Sequence, residues 1–290
     1  MMKQSVSEWE KGGQYFNFQD HEIFYRFHAN KDAPVLLLVH GFPTCSWDWS
    51  KIWADLQQHF QLLTVDMLGF GFSDKPRQKY SIMQQADIFD AILARLGIDH
   101  FHVMAHDYGD TVAQELLARH QQTGRVLSVV LSNGGLFPEM HRPLLLQKLL
   151  LSPIGFLISK LTNYKKFKKN FDHICAKPIN EEELQNLWLL MRYKNGTTNF
   201  HRIIYYIQER KKYRERWVGA LQKASVPLHL IVGVLDPISG EHMAAHYEKL
   251  ISQPDITRLH DVGHYPQLES ATEFSQAALY FWQNKGILSK

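Results

Sequence analysis

The stretch that most restricts the possible folds is Val103-Met104-Ala105-His106-Asp107-Tyr108-Gly109. An apolar lead-in reaches small Ala105, passes through Asp107 and meets Gly109. A helical pattern follows, Thr111-Val112-Ala113-Gln114-Glu115-Leu116-Leu117-Ala118. This reads as strand, sharp turn, helix. A turn that tight strains its central residue, so the flanking side chains must be small. The usual signature is G-x-S-x-G; here Ala105 takes the place of the first Gly and Asp107 that of the Ser. Two readings of the stretch stay open: a nucleophile elbow carrying a carboxylate, or an Asp that N-caps the next helix.

The rest of the chain supplies a β/α rhythm around that turn. Tyr15–Phe18 and Ile23–Phe27 flank Gln19-Asp20-His21-Glu22 as a hairpin. Pro34–Val39 is continuously apolar, as for a strand covered on both faces, and ends in His40-Gly41-Phe42-Pro43. A helix is expected from Trp47 to Phe60, a strand at Leu62–Val65, and a loop from Asp66 to Pro76. The G-x-G in that loop lacks its third Gly and starts no helix, which excludes a dinucleotide fingerprint. Ser81–Leu96 is helical and stops at Gly97, and a strand follows the elbow helix at Val126–Leu131. Strands resume at Leu228–Leu235 and Thr257–Leu259, with a final helix at Thr272–Asn284.

Between these, residues 137–218 show helices and loops only. They carry 16 Lys and Arg against 7 Asp and Glu, a surplus of +9, while the remainder carries 16 against 22. The expected architecture is α/β, a mostly parallel doubly wound sheet with an inserted helical lid. Residues 1–136 and 219–290 form the core and 137–218 the basic lid.

A formal net charge of +3 gives no reason to expect nucleic acid as a partner. Cys45 and Cys175 have no metal-ligand spacing and allow at most one disulfide, so a reducing, cytoplasmic setting is the default. The first ten residues contain no apolar leader core. Pro143–Leu161 is Leu- and Ile-rich but broken by Ser152-Pro153, so it reads as two short helices rather than a membrane span. Peripheral contact of the basic lid with a membrane is the accompanying expectation, Lys165-Lys166-Phe167-Lys168-Lys169 and Arg210-Lys211-Lys212 otherwise forming a solvated face. His242 and His246 share a helix face but lack an intervening Glu in the H-E-x-x-H manner and read as solvent-facing; no metal or cofactor is expected.

Asp107, then Asp236 at a strand end, then His264 in a late loop give the order nucleophile, acid, base. With His40-Gly41, the Asp66–Pro76 loop and Gly263-His264 before Pro266-Gln267-Leu268-Glu269, the chain resembles the α/β-hydrolases over nearly its whole length. His40-Gly41-Phe42-Pro43 with an Asp elbow looks like epoxide hydrolases. His106–Asp110, Val112–Leu116, Phe137–Glu139, His141–Leu150 and Arg216–Leu221 look like the mesoderm-specific transcript group and its bacterial relatives. A carboxylate is already anionic at neutral pH and is suited to displacement at saturated carbon, forming an alkyl ester. The resemblance then implies His264 as the base toward water, Asp236 as its orienter, and the Phe42 and Tyr108 amides as oxyanion donors. It also implies a lid tyrosine as proton donor: Tyr206, with Tyr205 as its alternative and Tyr164 as a second. His40, Tyr205, Tyr164 and Trp188 are expected to contact an apolar substrate, with Phe70, Phe137 and Phe156 near the mouth. Haloalkane dehalogenation and ester hydrolysis are the alternative activities; Tyr108 stands where dehalogenases carry Trp and Phe42 where they often carry Asn. A non-catalytic scaffold with a partner-binding lid is the alternative of another kind.

Overall fold

A computed structural model describes residues 5–289; residues 1–4, part of the stretch read for a leader, and Lys290 lie outside it. One sheet of eight strands runs through it: β1 (Gln14–Phe18), β2 (His21–His28), β3 (Val35–Val39), β4 (Gln61–Val65), β5 (Phe101–Ala105), β6 (Val126–Ser132), β7 (Leu228–Gly233) and β8 (Ile256–Leu259). Their order is β1-β2-β4-β3-β5-β6-β7-β8. β1–β2 and β2–β4 pair antiparallel, and every later pair is parallel. The central strands β3 and β5 are buried at every residue, as expected when helices cover both faces; β3 is apolar throughout, and the one polar side chain of β5, His102, is bonded to Ser128 Oγ at 2.7 Å.

The helix Ile82–Arg95 starts where the Ser81 side chain accepts from the Gln84 amide, and Gly97 at φ +67° carries the chain out of it. The lid consists of short helices, among them Leu145–Leu151, Gly155–Lys160, Tyr164–Ile174, Glu181–Arg192 and Tyr206–Lys212. The first two are the pair expected on either side of Ser152-Pro153. None of the helices described is long and apolar enough to cross a membrane.

Two expectations shift. The helix expected over Trp47–Phe60 is instead a 3₁₀ turn, Ser46–Trp49, and a single helical turn, Trp53–Leu56. Tertiary bonds claim its start: the Ser46 amide donates to Asp66 and Ser46 Oγ accepts from the Trp9 indole. Second, the lid boundary at residue 218 falls inside the helix Arg214–Gln222, which packs on the elbow helix Tyr108–His120. Buried Glu115 fastens the two, accepting from the Arg216 guanidinium and the Trp217 indole at 2.7 Å each. Cys45 and Cys175 are both free.

Candidate active site

Asp107 sits between β5 and the elbow helix at φ 51°, ψ −107°, a backbone conformation costly for any residue with a Cβ. Its side chain makes no capping bond to the helix, which removes the N-cap reading. Instead Oδ1 accepts from the Phe42 amide at 2.9 Å. Small neighbours are required here: a Cβ on Gly109 would lie 2.3 Å from the Val39 carbonyl oxygen. Burial raises the Asp107 pKa above the usual carboxylate range, against the opposing pull of His264, Arg210 and the Phe42 and Tyr108 amides.

His264 lies after β8, 3.7 Å through Nε2 from Asp107 Oδ2 and 2.8 Å through Nδ1 from Asp236 Oδ2. Four bonds fix its loop. The His264 amide donates to the Ile174 carbonyl of the lid at 2.9 Å, and its carbonyl accepts from His106 Nε2 at 2.7 Å. Glu269 accepts from the Gly263 and Tyr265 amides on either side, and also from Ala176 and Lys177 of the lid. That is the physical content of the Pro-Gln-Leu-Glu sequel. Burial pushes His106 down to about 3, so it acts as a neutral donor. Burial would lower His264 as well, but Asp236 and then Asp107 outweigh it and hold the imidazolium up to about 9.

Asp236 follows β7 and is saturated with donors. Its Oδ2 accepts from Asn133 Nδ2 at 2.9 Å and Ser239 Oγ at 2.8 Å, and Oδ1 from the Ile238 amide at 2.8 Å. Burial alone would raise it, yet His264 and these donors keep it below the ordinary range. Asn133 also accepts from the Gly233 amide, so it joins the ends of β6 and β7. Nothing in the sequence pattern singled out Asn133.

Arg210 was also missed. Grouped with the solvated lysines, it is in fact 2 % exposed. It donates to Thr111 Oγ1 at 2.7 Å and to the Asp107 carbonyl at 3.1 Å. A lid cation thus holds the strained backbone of the elbow.

Among the lid tyrosines, Tyr206 alone comes near the elbow. Its ring packs edge-on against Tyr108 at 4.8 Å and lies 6.2 Å from Phe42. Its hydroxyl is buried without a hydrogen bond, and burial and then Asp107 push its pKa up. It is not itself part of the cavity wall. Four expected contacts are corrected. Tyr205 is 41 % exposed beside Lys79, because successive helical residues point apart. Tyr164 turns its hydroxyl to Glu181 on the lid exterior. Trp188 stacks on Phe167 at 5.6 Å, behind the cavity wall. His40, pushed down to about 4 by burial, is neutral and structural: Nε2 accepts from the Met67 amide and Nδ1 bonds the Gly41 carbonyl.

Of the aromatic residues expected at the mouth, Phe70 packs below on Phe42, Phe137 packs on Tyr247, and Phe156 faces outward. His260 is exposed, and His242 and His246 are bonded to the Ile238 carbonyl and Glu139 rather than simply solvent-facing. No cluster of three or more metal-binding side chains occurs among the described residues.

Above the carboxylate lies a cavity of about 250 Å³ with Asp107 and His264 on its floor. Its walls are chiefly apolar: Phe42, Leu150, Phe167, Phe171, Met191 and Phe200 stand among them. A carboxylate, an imidazole and an acid converge beneath a lidded apolar hollow, and a family profile for the alpha/beta hydrolase fold matches residues 34–271.

The chain belongs to the α/β-hydrolase family.

It is 41 % identical to the mesoderm-specific transcript protein of Mus musculus, across 96 % of this chain and 88 % of that one. It is 34 % identical to LipZ of Mycobacterium tuberculosis, named as a candidate hydrolase, across 96 % and 98 % of the two chains. The haloalkane dehalogenase DbeA of Bradyrhizobium elkani superposes with a TM-score of 0.78 at 21 % identity, over 95 % of this chain and 98 % of the other. At that identity the likeness speaks for the shared fold. The resemblance read from the ordered motifs is thereby confirmed at the level of the family.

Proposed function

We propose that the protein hydrolyses epoxides on apolar substrates through an ester of Asp107. The observation that carries this reading is the division of labour on one carboxylate. Oδ1 is held by the Phe42 amide, while Oδ2 lies within 3.7 Å of His264 Nε2, at the floor of an apolar cavity.

Asp107 attacks a ring carbon, the carbon–oxygen bond breaks, and the leaving alkoxide takes the Tyr206 proton, giving a hydroxyalkyl ester. The resting imidazole, held up to about 9, is cationic at neutral pH and returns a proton to the tyrosinate. Esterification removes the charge on Asp107, one of the two that sustain the imidazolium, so neutral His264 is favoured when a base is needed. His264 then takes a proton from water, the hydroxide attacks Asp107 Cγ, and the Phe42 and Tyr108 amides hold the oxyanion. Collapse releases a diol and regenerates the carboxylate with one oxygen from water.

Halide departure needs donors in the cavity wall, and no tryptophan indole is among the lining residues. Attack on a carboxylic ester would give a mixed anhydride, a less productive use of a carboxylate nucleophile. Turnover in ¹⁸O-water with epoxides, haloalkanes and esters tests all three. The expected result is diol formation from the epoxide panel with label entering Asp107 in a single turnover. Label found only in product, or equal reaction by Asp107→Asn, would overturn the assignment.

A further inference from the structure

The lid wears part of its apolar surface on the outside. In the helix Gly155–Lys160 and its flanks, Ile154, Leu157 and Leu161 recur at helical spacing and form one exposed stripe. The neighbouring helix Leu145–Leu151 adds Leu145, which is 72 % exposed, and Leu146. A soluble helix ordinarily turns such a stripe inward, and contiguous exposed apolar side chains mark an interaction surface.

Charge identifies what fits it. Between Glu139 and Asp172 the chain contains no acidic residue, but seven basic ones. Lys148, Lys160, Lys165 and Lys169 are exposed and form no ion pair among the described residues. Apolar tips with a single-sign basic rim match an anionic lipid surface, where acyl chains take the leucines and headgroups the ammonium groups. The cavity opens toward the same face: Leu146 and Lys166 are both exposed and both line it. Lys166 also bonds the Leu161 carbonyl at 3.1 Å, fixing the basic helix Tyr164–Ile174 against the end of the apolar stripe.

We infer that this lid face docks on anionic bilayers, with the cavity mouth turned toward the lipid. The inference requires nothing of the chemistry at Asp107. It is tested by sedimenting the full-length protein with phosphatidylcholine vesicles, with and without phosphatidylglycerol, over a salt series. Binding should require phosphatidylglycerol, weaken with salt, and fall about fivefold for each charge removed in Lys160→Gln and Lys165→Gln. Leu157→Asp should also release the protein. Lys249→Glu and Tyr280→Asp, exposed positions on other helices, should bind as wild type, and so should catalytically dead Asp107→Asn. Equal binding to both vesicle types, no binding, or the same loss in the two remote variants would overturn it. So would a dimer in solution that Leu157→Asp dissociates without any vesicle binding, which would assign the face to a second copy of the chain.

Discussion

Arg210 donates from the lid to the backbone carbonyl of Asp107 across 3.1 Å, joining residues 103 positions apart. The carbonyl belongs to a residue held at φ 51°, and the guanidinium also bonds Thr111 at the start of the elbow helix. Arg210→Gln would strip a buried acceptor of its partner, a loss of about 1–3 kcal/mol. The expected outcome is a lower denaturation midpoint together with a fall in kcat, because the elbow relaxes. An unchanged melting curve would remove Arg210 from this role.

Gly109→Ala probes the same turn from beneath. The added methyl would meet the Val39 carbonyl oxygen at 2.3 Å, a backbone atom that cannot step aside without moving β3. A loss of about 3 kcal/mol or more, or failure to accumulate soluble protein, is expected. Thermal unfolding of the purified variant is the measurement.

Tyr206→Phe separates chemistry from packing. The hydroxyl is buried without a hydrogen bond, so its removal should leave stability unchanged or slightly raised. On the proposed mechanism, loss of this hydroxyl should slow epoxide opening by about 10²–10⁴-fold. Full activity in the variant would assign proton donation elsewhere.

The imidazole of His264 titrates at about 9 because Asp236 and then Asp107 overcome its burial. Neutralising the nucleophile as Asp107→Asn should therefore lower that titration, read by NMR of the imidazole protons. A rise or no change would contradict the coupling on which the proposed second half-reaction depends.

The same shift has a stability sign. His264 is raised above its ordinary 6.5 and Asp236 is held below its ordinary 3.8, so the pair stabilises the fold fully between those two values, loses the carboxylate's share on acidification and loses the imidazolium's share as pH rises through about 9. Asp236→Asn should cost about 3 kcal/mol at low-neutral pH. Denaturant midpoints of variant and wild type should converge above pH 9; a gap constant with pH would place the cost elsewhere.

The local elements were legible because their causes are local. A continuous apolar run marked β3, a largely apolar lead-in marked β5, Ser81 and Gly97 bounded a helix, and the small residues around Asp107 marked the turn. The order Asp107, Asp236, His264 was likewise readable, since topology carries it. Side-chain direction was not: Tyr205 and Tyr206 are adjacent in sequence, yet one meets solvent and the other the elbow.

The sequence by itself therefore determined the alternation of strand and helix, the carboxylate at the elbow and the basic lid, all set by periodicity and residue type. Only the tertiary structure decided that Arg210 is a buried clamp, that Asn133 and Ser239 complete the shell of Asp236, and that Tyr164 and Trp188 stand outside the cavity. The Arg210 and Asn133 contacts join segments 103 residues apart, and the others depend on which way a side chain turns once those segments have packed. Spacing along the chain carries no record of such meetings, because packing fixes them only once the sheet and lid are assembled.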